Sequence, residues 1–165
     1  MLVLVVWLLT LPPYCKKIKN RIGREIGMES KNTPVIGKDA LGREIRDLSK
    51  IPWWGVDRKA IEWYPVINYD KCATCGICFV TCGRRVFDFD RKEGKVIVAR
   101  PYNCMVACQT CMNLCPTGAI SFPDVSYIKK LVAQNKIVKK TFEIIKPLLP
   151  DEHLSIKETE TDPEP

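Results

Sequence analysis

Residues 72–116 read Cys72-Ala-Thr-Cys75-Gly-Ile-Cys78-Phe-Val-Thr-Cys82 and, after a spacer, Cys104-Met-Val-Ala-Cys108-Gln-Thr-Cys111-Met-Asn-Leu-Cys115-Pro116. Eight of the nine cysteines lie in these two runs. In a small secreted chain such a count would suggest a disulfide framework. Three thiols within seven residues, as at Cys72, Cys75 and Cys78, cannot all bridge one another without strain, because a disulfide demands a particular separation and dihedral. Metal ligation needs that crowding. Thiols that must stay reduced until metal arrives argue for the cytoplasm.

Two tetra-cysteine runs at this spacing point to two cubane iron–sulfur clusters of the 4Fe-4S type, and so to electron transfer. Successive steps of three let one loop wrap a corner of a cube. Cys78 and Cys82 are four residues apart, so on a short helix they share a face but lie about 5–6 Å apart along it. The fourth cysteine is thereby carried past the first cube, toward one held by the other run. This assigns Cys72, Cys75, Cys78 and Cys115 to a first cluster and Cys82, Cys104, Cys108 and Cys111 to a second. Neither half should then fold well alone. Structural zinc prefers two CxxC pairs separated by a longer spacer, which these runs fit poorly.

Working outward, each run sits in one copy of an internal repeat, YDKCATCGICFVTCGRRVFDF at 69–89 and YNCMVACQTCMNLCPTGAISF at 102–122. Each copy reads as strand, cysteine loop with a short helix, and strand. Residues 65–69 form the expected entering strand. Residues 86–90 alternate apolar and polar, and 95–100 return after a turn at 91–94, as a hairpin does. Residues 119–122 close the unit. Ala73, Gly76 and Ala107 allow close backbone approach in the loops, and Gly83 and Gly118 allow unusual dihedrals. Amides of such loops aimed at cluster sulfur favour the reduced state. Pro116 fixes the chain direction after Cys115.

The flanks divide by charge. The chain is +7 overall: residues 150–165 contribute −5, while 16–50 and 129–146 contribute +5 each and 57–124 contribute +2. With about −2 per oxidised cluster, the core becomes weakly acidic between two basic flanks. Those lysines read first as solvated faces, and second as a docking surface for acidic redox partners. Residues 1–13 are almost wholly apolar but too short to span a bilayer and lack a signal-peptide pattern. A misassigned start with Met28 as first residue is the leading reading of 1–27, ahead of a membrane contact. Residues 28–60 look irregular, with a short helix at 40–48. Trp53-Trp54 and Trp63-Tyr64 are expected to pack on the core; a functional variant has them cover a cluster and exclude water. Residues 125–148 read as a helical extension, capped by Asp124, broken near Asn135 and ended by Pro147. Ile128, Leu131 and Val132, then Val138, Phe142 and Ile145, form stripes read as a seam against the core. Residues 149–165 are acidic and read as a disordered tail. His153 and the odd Cys15 read as bystanders.

The two motifs resemble the bacterial-type ferredoxins with two 4Fe-4S clusters, over roughly residues 64–123. That resemblance implies an α+β, two-fold ferredoxin-type dicluster domain at 61–124, and the crossed ligand sets already reached. Two departures stand out: Gly83 follows Cys82 where the family usually has proline, and Cys104-x3-Cys108 is one residue wider than usual. The expectation is a low-potential single-electron carrier of the cytoplasm. The alternative is an electron-wiring subunit of a larger oxidoreductase. Redox proteins are the expected partners, and no nucleic acid, since the lysines are not interleaved with aromatics. No catalytic residues are assigned, because all eight thiols are needed as ligands.

Overall fold

In a computed structural model, residues 33–148 are described; the readings made on residues 1–27 (with Cys15) and on 149–165 (with His153) fall outside them. Among the described residues, six short strands and four α-helices form a small mixed α+β arrangement. The strands are β1 Val35–Lys38, β2 Glu44–Arg46, β3 Val66–Ile67, β4 Phe87–Asp90, β5 Lys95–Val98 and β6 Ile120–Ser121. The helices are α1 Ile77–Thr81, α2 Thr110–Asn113, α3 Val125–Gln134 and α4 Ile137–Ile145.

The strands make three antiparallel pairs, β1 with β2, β3 with β6, and β4 with β5. The β4–β5 hairpin has the expected place, with Phe87 opposite Val98 and Asp90 opposite Lys95. Its turn follows from Asp90, whose carboxylate accepts the Lys92 and Glu93 amides at 2.9 and 3.2 Å, and from Gly94 at φ +62°. The β3–β6 pair joins the two ends of the repeat, Val66 to Ser121 and Ile67 to Ile120. Two-stranded sheets are marginal by themselves. Here a common core holds them: Ile61, Trp63, Phe79, Val86, Phe87, Val96, Val106, Ile120 and Ile128. Burying each such side chain is worth about 1.5–3 kcal/mol. Trp63, set against Phe122 with ring centroids 5.4 Å apart, sits in the middle of it, as expected for that residue.

Residues 40–48 form no α-helix; only Leu48 enters a short 3₁₀ turn, Leu48–Lys50. Leu41, Ile45 and Leu48 have helical spacing, yet the segment is a turn followed by β2. The reason is local. The Asp39 carboxylate accepts the Leu41 and Arg43 amides at 3.0 and 2.9 Å, and Gly42 takes φ +77°, so the chain reverses into a hairpin. That hairpin is tied down. Arg43 bonds Asp39 at 2.7 Å, donates to the last carbonyls of α1 (Val80 O 2.9 Å, Phe79 O 3.1 Å) and lies over the Phe79 ring.

The C-terminal helices match the expectation in outline. Asp124 caps α3 by accepting the Ser126 amide at 2.8 Å, and Asn135 ends it. Lys136 then takes φ +50° before α4. Ile128, Leu131 and Val132 pack on the core, so the α3 stripe is the expected seam. In α4 the buried residues are Ile137 and Ile144, while Ile145 is exposed. The stripe is thus rotated from the expected Val138–Phe142–Ile145 line.

Candidate metal centre

The eight thiols are arranged around two pockets. Cys72, Cys75, Cys78 and Cys115 line one, together with Ile67, Val96 and Ile120. Cys82, Cys104, Cys108 and Cys111 line the other, together with Pro65, Val86 and Phe87. Each pocket draws three cysteines from one run and one from the other. Among the described residues, no three donor side chains converge on one point as the ligands of a single ion do. Four thiols set around an apolar-walled space are the donor set and the shape that an iron–sulfur cluster takes.

Local structure explains these positions. Gly76, at φ +77°, turns the first loop into α1, and a Cβ there would meet no protein atom, so its dihedral is what the position requires. Helix α1 carries Cys78, and Cys82 follows immediately after its end. Gly118, at φ +61°, turns the Ala119 amide onto the Cys115 thiol, N to Sγ 3.3 Å. Gly83 keeps an ordinary φ; after Cys82 the left-handed residue is Arg85, at φ +55°. In the widened second loop, Ala107 takes φ +68°. Thr74, in the matching place before Cys75 of the first loop, is left-handed too, at φ +51°.

The pockets differ in burial and charge. Cys75 is exposed, whereas Cys104 is buried. Burial pushes the Cys104 thiol up to about 12, reinforced by the neighbouring Cys108, and burial with Cys82 beside it does the same to Cys111. Burial also raises Cys78. Burial would lift Cys115 too, but the Thr117 hydroxyl and the Ala119 amide outweigh it and hold that thiol below its usual value. The thiolates of Cys104 and Cys111 therefore need a cationic occupant more than that of Cys115 does.

The residues N-terminal to the first run build one wall of the second loop, which sequence reasoning missed. Asn103 is buried: its Oδ1 accepts the Leu48 amide at 3.0 Å, and its Nδ2 donates to Arg46 O at 2.9 Å and Arg84 O at 3.3 Å. Arg58 donates to Cys104 O, and Trp63 Nε1–H donates to Cys108 O at 3.1 Å. The Trp63 ring thus joins the second loop as well as the core. Apart from Arg84, these partners lie 45–57 residues apart in sequence, and no local pattern announces them.

No family model matches the chain. It is 44% identical over 72 residues to a ferredoxin of Methanocaldococcus jannaschii, covering 43% of this chain and 48% of that protein. The chain thus spans about half the length of that relative. A second, shorter ferredoxin of the same organism is 41% identical over 56 residues, and 86% of it is covered. The subunit PreA of the NAD-dependent dihydropyrimidine dehydrogenase of Escherichia coli is 33% identical over 86 residues, 48% of this chain and 19% of that subunit. With eight thiols gathered around two pockets, and a whole ferredoxin matched along most of its length, the chain belongs to the bacterial-type ferredoxins, iron–sulfur proteins of electron transfer.

Proposed function

We propose that this chain carries single electrons at low potential through two 4Fe-4S clusters, within a two-fold domain at residues 61–124. Cys72, Cys75, Cys78 and Cys115 hold the first cluster, and Cys82, Cys104, Cys108 and Cys111 the second. The observation that carries this reading is the division of the eight cysteines between two pockets, each crossing from one run to the other. The strand pairing supports the two-fold relation. The first strand of one half (β3) pairs with the last of the other (β6), and the two inner strands (β4, β5) pair together.

When bound, each cluster takes up and gives up one electron. The chain's own part is to supply thiolates, to aim the Ala119 amide at Cys115 Sγ, and to keep water from Cys104 by burying it in the same cluster as Trp63 and Val106. No residue is assigned to bond-making chemistry, so the chain by itself is a carrier and not an enzyme. Its partners are redox proteins, met through acidic surfaces on the basic flanks at 16–50 and 129–146, and its place is the cytoplasm. Among the described residues, no helix is long and apolar enough to cross a membrane.

A second reading, a fixed electron-wiring subunit of a larger oxidoreductase, is favoured by the likeness to a dehydrogenase subunit. Anaerobically purified protein should hold about eight iron and about eight acid-labile sulfides per chain. Four of each, or zinc, would refute the two-cluster assignment. Size exclusion of native extract separates the two readings: a free small species supports the carrier, and a stoichiometric complex supports the subunit.

A further inference from the structure

Arg58 is only 4% exposed, yet among the described residues no carboxylate pairs with it. Its four hydrogen bonds all go to backbone carbonyls. Nε and Nη2 reach Cys104 O at 3.0 and 2.8 Å, Nη1 reaches Ile61 O at 2.7 Å, and Nη2 reaches Trp63 O at 2.6 Å. The adjacent Asp57 is turned away, accepting the Lys59 amide at 2.9 Å. Carbonyl dipoles solvate a guanidinium but leave its charge uncompensated. A neutral side chain could bridge these carbonyls without the desolvation cost of a buried charge. The charge itself therefore calls for an anion, and Cys104, its electrostatic neighbour, belongs to the second thiol set.

The two thiol sets are unequal in this respect. No charged side chain lines the pocket of Cys72, Cys75, Cys78 and Cys115. Arg84 lines the other pocket, and Arg85 donates to Cys82 O at 2.8 Å, though Asp39 stands 3.9 Å from Arg85 and offsets it. Arg58 has no such offset.

We propose that Arg58 supplies a buried positive charge that selectively favours the reduced form of the cluster held by Cys82, Cys104, Cys108 and Cys111, and so raises its reduction potential. This rests on the two-cluster reading above. The step is the gain of one electron from a low-potential protein donor, taking a cluster of charge about −2 to about −3. No bond forms at Arg58 and no proton moves with the electron, since the guanidinium stays protonated throughout. A buried opposite charge beside a titrating group biases its charged equilibrium by about tenfold or more, and about tenfold for one electron is about 59 mV.

The test is a spectroscopically resolved redox titration of intact holoprotein, wild type against Arg58→Gln, Arg58→Met and Arg58→Lys, each with its iron and sulfide content measured. In the neutral variants one potential should fall by about 59 mV or more while the other holds, and Arg58→Lys should retain most of the wild-type value. The potential that moves should belong to the cluster that Cys82→Ser damages. Unchanged potentials in iron-replete neutral variants overturn the proposal, as does a fall in Arg58→Lys as large as in Arg58→Met, which would make the role one of geometry. Should the neutral variants lose iron, Arg58→Lys decides alone: a retained potential supports the role of charge, and a fallen one refutes it. Wild-type protein with about four irons would instead sink the two-cluster reading itself, and this inference with it.

Discussion

Replacing Asn103 with alanine should loosen the second cysteine loop and spare the first. The Leu48 amide has Asn103 Oδ1 as its acceptor, and the side chain also serves Arg46 O and Arg84 O. Orphaning a buried amide costs about 1–3 kcal/mol, and each carbonyl bond lost adds about 0.5–1.5 kcal/mol. The lower end of that sum, about 2 kcal/mol, raises the population of the opened loop about 25-fold. Where opening and reclosing are fast, capture of iron by a chelator follows that population. Anaerobic holoprotein of the variant, mixed with chelator and followed by its visible absorption, should lose about half its iron at least about 25-fold faster than wild type, and the remainder at the wild-type rate. Asn103→Asp keeps an acceptor for Leu48 but sets a carboxylate against two carbonyls, so it should do no better. A change under about threefold, or equal acceleration of both halves, would refute the argument that Asn103 clamps this loop.

Further expectations concern the first site. Asp39→Asn removes the carboxylate that orients Arg43 on α1; losing charge-assisted bonds of this kind costs about 1.5–3 kcal/mol, and chelators should then take the first cluster's iron sooner. Desolvation pushes Asp39 up, but bonds from the Arg43 amide, its guanidinium and the Leu41 amide outweigh it, so the folded carboxyl sits below 3.8. A depressed carboxyl stabilises the fold above its unfolded value and loses that contribution as pH falls through the folded one. Stopped-flow acidification should therefore show an added acceleration of bleaching in wild type below about pH 4 that Asp39→Asn lacks. Gly76→Ala forces a side chain to φ +77°, at about 1–2 kcal/mol, with no clash to blame; a stability equal to wild type in chemical denaturation would show that the left-handed turn is not needed there.

The parts of the fold legible in the sequence were those set by local pattern. The cysteine spacing and the alternation at 86–90 needed no distant partner to be read. The helix expected at 40–48 failed because apolar spacing at Leu41, Ile45 and Leu48 suits a helix, while Asp39 and Gly42 supply turn chemistry that overrides it. The α4 face was misplaced because left-handed Lys136 resets the helix start, turning Ile137 and Ile144 inward. Arg58 and Asn103 were invisible for a different reason. Their partners are backbone carbonyls and amides far along the chain, which carry no residue signature. The proposed site was half legible: spacing named the thiols, but not the arginine-lined wall beside one set of them.

The central claim is that each cluster takes its fourth ligand from the opposite run. Cys82→Ser and Cys115→Ser, each purified anaerobically and assayed for iron alongside the signature of each cluster, test it most directly. The account predicts that Cys82→Ser damages the cluster of Cys104, Cys108 and Cys111 while sparing that of Cys72, Cys75 and Cys78, and that Cys115→Ser does the reverse. Damage confined in each variant to the cluster of the mutated cysteine's own run would contradict it.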